Sequence, residues 1–70
     1  MNPVFSAINA AIQANAEIEI IHKTMKRIVI HPIKLDNDAV IADIVKVGLL
    51  GRSPERNARL KLKDITLPRV

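Results

Sequence analysis

The chain of 70 residues has no cysteine, tryptophan or tyrosine, and a single phenylalanine, Phe5. Without cysteine there is no disulfide, no thiolate metal ligand and no nucleophilic thiol. With Phe5 expected in the core, aromatic platforms for stacking bases are nearly gone, and only His22, His31 and the arginines carry planar groups. The two glycines, Gly48 and Gly51, flank two leucines, which is not a phosphate-cradling loop. Serine hydroxyls are confined to Ser6 and Ser53, and the carboxylates Glu17, Glu19, Asp36, Asp38 and Asp43 fall at strand or turn positions. No nucleophile and base are therefore paired, and the expectation is a non-enzyme. Long apolar runs are missing as well. Residues 1–16 carry no side-chain charge but lack a basic flank and are interrupted by Asn2, Asn9, Gln13 and Asn15, so neither a signal peptide nor a membrane span is expected. A cytoplasmic location is the default expectation.

What is present is a high apolar content, 49%, and a net charge of +4. A chain this short hides only about 60% of its unfolded surface, so residues 1–70 are expected to form one domain with one modest core. Apolar surface in excess of that core predicts a homo-oligomer. The charge is segregated. Residues 1–45 hold Lys23, Lys26, Arg27 and Lys34 against five acids, a balance of −1. Residues 46–70 hold Lys46, Arg52, Arg56, Arg59, Lys61, Lys63 and Arg69 against Glu55 and Asp64, a balance of +5.

The first element reads as a helix: Asn2 can cap it, Pro3 suits its first position, and Val4, Ile8, Ala11 and Ile12 recur at helical spacing, with an end near residues 14–16. From Glu17 the period becomes two, which places Ile18 and Ile20 inward. A second strand over 27–33 contains Ile28, Val29, Ile30 and Ile33, with Pro32 placed where an edge or bulge tolerates its missing donor. An odd-length turn around Thr24 sets Ile20 beside Ile28 and Ile18 beside Ile30. Asp36, Asn37 and Asp38 form the next turn. Residues 39–47 follow with Val40, Ala42 and Ile44 on one face and Ile41 and Val45 on the other, which predicts a strand buried on both sides. Residues 48–57 read as a loop, 59–63 as a strand with Leu60 and Leu62 in and the cations out, Asp64 as a turn, and 65–70 as a short edge strand with Pro68. The expected fold is mainly β with one N-terminal helix: a small five-stranded antiparallel barrel of the SH3 or Sm type, whose closure removes open edges.

This order of signals resembles the WYL domains, Sm-like barrels with a leading helix. The similarity is carried by Ala7 and Ile8 in the helix, Ile18 to His22 in the first strand, then Ile30, His31, Pro32, Ile33, Lys34 and Leu35, then Val40, Ile41 and Ala42, and finally Leu60, Lys61, Leu62, Lys63, Asp64 and Ile65. The family's name motif falls at about Asp38, Ala39 and Val40, without its aromatics, and His22 stands where tyrosine is usual. The resemblance implies a regulatory module that binds a negatively charged ligand, often nucleic acid, usually beside a helix-turn-helix domain and here free-standing. It also implies RNA binding or control of an effector, as in stand-alone relatives near defence systems. A second resemblance, to the bacterial Sm-like RNA chaperone family, rests on architecture and on Ile65, Thr66, Leu67, Pro68 and Arg69.

Among the candidate sites, the cation row Arg59, Lys61 and Lys63 weighs most. Outward side chains on a strand are roughly 7 Å apart, close to the phosphate spacing of an extended strand, and Arg52 and Arg56 can extend the row. RNA, single-stranded DNA or a small anionic ligand are the partners this chemistry suits; the alternative is a solvated face kept charged for solubility. The second candidate is an apolar outer face of Ile21, Val29, Ile41, Val45, Leu49 and Leu50, covered by the helix, a second copy or a larger protein partner, which would make the chain an assembly subunit. His22 and His31 fall on opposite faces of their hairpin, so no metal is expected within one subunit, and no cofactor.

Overall fold

The computed structural model describes residues 3–47 and 55–68, the side chain of Val47 excepted. The expected cap at Asn2, the loop residues Gly48, Leu49, Leu50, Gly51, Arg52, Ser53 and Pro54, and the end at Arg69 and Val70 lie outside the described residues.

The chain forms helix α1 (Pro3–Ala14), strands β1 (Ile18–His22), β2 (Lys26–Asp36), β3 (Ala39–Val47) and β4 (Glu55–Lys61), a 3-10 turn (Leu62–Asp64) and strand β5 (Ile65–Thr66). The five strands make one antiparallel sheet in the order β4-β3-β2-β1-β5. Among the described residues the sheet does not close into the expected barrel: β4 and β5 are its two ends and are joined covalently through the 3-10 turn, not by a strand ladder.

Helix α1 ends on a left-handed Asn15, φ 52°. Its amide donates to the Ile12 carbonyl at 3.1 Å and that of Ala16 to Ala11 at 2.9 Å, the paired bonds that satisfy the last carbonyls when Asn or Gly follows a helix. The helix buries Ile8 and Ala11 and packs Val4 and Ile12 on the core face of the sheet.

The hairpin register follows the burial argument, with Ile20 opposite Ile28 and Ile18 opposite Ile30. A slip of one residue would turn these isoleucines to water. They join Ile8, Met25, Val40, Ala42, Ile44, Leu60 and Ile65 in a single core.

Three irregularities bend the sheet. Ile33 is the extra residue on β2 beside Pro32, Val45 the extra residue on β3, and a third shift falls on β4 between Ala58 and Glu55. Pro32 thus sits where the ladder is already broken. At the third shift Asn57 is left-handed, φ 55°, and its amide donates to Asp43 Oδ1 at 2.9 Å.

Further sequence expectations change besides closure. Phe5, expected in the core, is 43% exposed, and β2 runs over Lys26–Asp36 and not 27–33, which takes Asp36 from the expected turn into the strand. β3 is not buried on both sides, since Ile41 and Asp43 are half-buried and Val45 is 40% exposed. β4 begins at Glu55, inside the expected loop, because β3 offers Ile44 as its partner. It stops at Lys61, so Leu62 and Lys63 belong to the 3-10 turn and not to the strand. β5 spans two residues, with Leu67 and Pro68 beyond its end.

Candidate anion-binding site

The 3-10 turn brings distant parts of the chain together. The Leu62 amide donates to the Asp38 carbonyl at 2.8 Å, and the Lys23 amide donates to the Asp64 carbonyl at 2.9 Å. One short turn is thereby pinned to both hairpin turns, and Lys63 is carried to the β1–β2 turn and its lysines.

That turn is organised by His22. The residue is 9% exposed, and its Nδ1 accepts the Thr24 amide at 3.2 Å, the Met25 amide at 3.4 Å and the Thr24 hydroxyl at 3.2 Å. Backbone amides can only donate, so Nδ1 is the acceptor and the proton of the neutral ring is on Nε2. Lys26 follows in the left-handed region, φ 62°.

Two hollows meet at this point. The first, about 440 Å³, lies where the sheet fails to close; Met25, Ile44, Ala58 and Leu60 supply its apolar lining, and Thr24, Glu55, Arg59 and Lys61 its polar one. The second, about 320 Å³, is lined by Lys23, Lys26 and Lys63 with Ile21 and Thr66. His22 and Asp64 line both.

The structure divides the expected cation row. Arg59 and Lys61 border the first hollow and Lys63 the second, while Arg56 is exposed on β4 and Arg52 is outside the described residues. Arg59 also donates from its guanidinium to the Asp36 carboxylate. Among the described residues, Lys23, Lys26, Lys61 and Lys63 form no ion pair; the other exposed pair is Arg27 with Glu19 at 2.9 Å. Lys23 and Lys26 were absent from the sequence candidates. The signal for them was the cationic run His22, Lys23, Thr24, Met25, Lys26, Arg27, but its meeting with Lys63 depends on β1 pairing with β5.

The apolar candidates lie on the face opposite the helix. Ile21, Val29 and Ile41 are half-buried there. Ile21 is opposite Arg27 and Thr66, Val29 opposite Glu19 and Lys46, and Ile41 opposite Lys34 and Arg59, so charged neighbours separate them. Leu49 and Leu50 are outside the described residues. His31 sits apart from His22, with Nε2 donating to Asn15 Oδ1 at 2.9 Å. No cluster of three or more potential metal ligands occurs among the described residues. No described helix is long and apolar enough to cross a membrane.

Comparison with protein-family models, with curated proteins and with solved structures returns no match.

Proposed function

We propose that this protein is a non-catalytic regulatory binding module of the WYL and Sm-like kind that takes an anionic ligand, nucleic acid above all. The observation that carries this reading is the gathering of Lys23, Lys26 and Lys63 around one hollow, with Lys61 and Arg59 on the adjoining one. Three ammonium groups against the one carboxylate of Asp64 leave the lysine-lined hollow net positive, and such a site favours a phosphate that neutralises it. The fold half of the proposal is supported by a leading helix, five antiparallel strands and a 3-10 turn linking the two ends of the sheet. Binding would be electrostatic, because the aromatic platforms of sequence-specific readers are nearly lacking.

The test is fluorescence anisotropy with labelled single-stranded RNA, single-stranded DNA and duplex DNA across a salt series. Affinity falling steeply with salt is expected, with the slope counting the phosphates engaged. Reversal of Arg59, Lys61 and Lys63 to Glu should abolish it with the fold intact. No binding at low salt overturns the proposal.

A second reading, an assembly subunit, draws on the outer edges of β4 and β5, which have no strand partner among the described residues, and on Phe5, Ile33 and Val45, each at least 40% exposed. Unpaired edges are surfaces on which a second copy can add strands. Analytical ultracentrifugation that finds a defined oligomer untouched by the triple reversal, with no nucleic acid bound, would favour it.

A further inference from the structure

Strand β4 is one end of the sheet, and its hydrogen-bond register fixes which of its main-chain groups are free. The Leu62 amide donates to the Asp38 carbonyl at 2.8 Å, the next step along from the pairings of Ala58 with Ala42 and Leu60 with Val40. Bonded and unbonded pairs alternate in an antiparallel ladder, so Ala58 and Leu60 spend their amides and carbonyls on β3. Those of Arg59 and Lys61 point away from β3 and meet no partner among the described residues. The hollow of about 440 Å³ borders all of residues 58–61, which leaves room for a chain beside them. The regular stretch is short: the register shift at left-handed Asn57 limits it on one side and the 3-10 turn on the other.

The side chains along this edge select what can pair with it. Strand β4 carries Arg56, Arg59 and Lys61 against Glu55, a balance of +2. Arg59 and Lys61 share the outer face with Ile41 and Ala39, while Ala58 and Leu60 pack on the core. The Arg59 guanidinium has donors beyond the one given to Asp36. Two copies of β4 side by side would set cation against cation, which is how edge lysines keep like chains apart. The same charges attract an acidic strand. We infer that the free edge of β4 docks an extended acidic segment of another protein, added to the sheet as a further strand over residues 58–61. The segment alternates, with carboxylates beside Arg59 and Lys61 and apolar side chains beside Ala58 and Leu60, at the rim of the core. A nucleic acid offers no row of amides and carbonyls at strand spacing, so the free main-chain groups of Arg59 and Lys61 favour a peptide here. The inference stands apart from the anion-binding reading, whose central lysines, Lys23, Lys26 and Lys63, it does not use.

The experiment titrates the full chain with three acetylated and amidated peptides, Glu-Val-Glu-Val-Glu, Glu-Pro-Glu-Pro-Glu and Lys-Val-Lys-Val-Lys, and with single-stranded RNA in parallel, followed by nuclear magnetic resonance. The acidic valine peptide should bind and the basic one should not. The proline peptide keeps the carboxylates but loses main-chain donors, and should bind about tenfold more weakly. At saturation with the acidic valine peptide, hydrogen exchange at the Arg59 and Lys61 amides should slow about tenfold, while that at Ala58 and Leu60, already bonded to β3, stays unchanged. Arg59→Glu with Lys61→Glu should exchange the preference, so that the basic peptide binds and the acidic one does not. Should that variant fail to fold, the exchange pattern of the parent chain decides. Lys23→Glu with Lys63→Glu should weaken RNA and leave the peptide affinity as it was. Equal affinity for the valine and proline peptides reduces the edge to a charged patch and overturns the inference. So does no binding of the acidic valine peptide, protection that falls on Ile65 and Thr66 instead, or Arg59 and Lys61 amides already protected by a second copy in the free chain. Failure of RNA to bind while the acidic peptide does overturns the anion-binding reading alone.

Discussion

Arg59 and Asp36 are joined across the end of the sheet, the guanidinium of β4 donating to a carboxylate at the end of β2. An exposed pair of this kind contributes about 0–1 kcal/mol, so its chief effect is on the charge offered to a ligand. Asp36→Asn should leave the melting temperature nearly unchanged, release Arg59, and strengthen single-stranded RNA binding. The log-log salt slope should steepen by about 0.7, the increment of one further phosphate contact. A slope equal to that of the parent chain would remove Arg59 from the interface.

His22 is expected to matter for folding through its acceptor and not its volume. His22→Ala and His22→Phe should both destabilise by about 1–3 kcal/mol in urea titrations, since each strands the Thr24 and Met25 amides that Nδ1 now satisfies. Full stability in His22→Phe would show that packing alone is at stake.

The bulge on β4 depends on a residue that tolerates the left-handed region. Asn57→Val should cost about 1–2 kcal/mol, whereas Asn57→Gly should be close to neutral. Asp43→Ala should cost about 1 kcal/mol by removing the acceptor of the Asn57 amide. Denaturant midpoints of the three variants check the order.

Ile30 is fully buried at the centre of the sheet, between β1 and β3. Ile30→Ala should cost about 2–5 kcal/mol, against a total of roughly 0.05–0.15 kcal/mol per residue for a domain. The expected outcome is the loss of a cooperative thermal transition at 37 °C, read by circular dichroism. A variant that melts like the parent would contradict the core assignment.

The parts of this fold that could be read ahead are those with local causes. Helix α1 follows from the spacing of Val4, Ile8, Ala11 and Ile12, and the β1–β2 register from isoleucines that only one pairing buries together. The start of β4 was not legible, because Glu55, Arg56 and Asn57 show no alternation and are held in the sheet by β3. Its end was misleading for the opposite reason: Leu60, Lys61, Leu62 and Lys63 keep a period of two through a point where the backbone turns. The candidate site suffered in the same way. Lys61 and Arg59 were visible as a local pattern, but Lys23 and Lys26 gain their meaning from Lys63 only through the pairing of His22 with Ile65.

Strand β5 also sets an order of events. Ile65 and Thr66 pair with His22 and Ile21, more than forty positions earlier in the chain. During synthesis the β1–β2 hairpin and β3 can form as they emerge, but the flank of β1 stays bare and Ile65 is missing from the core until the last strand arrives. Contacts so distant in sequence are slow to form and leave a half-made sheet in the meantime. A ribosome paused before Leu62 would therefore hold a chain with its cation cluster unassembled, and the lysine-lined hollow would come into existence only in the final steps of folding.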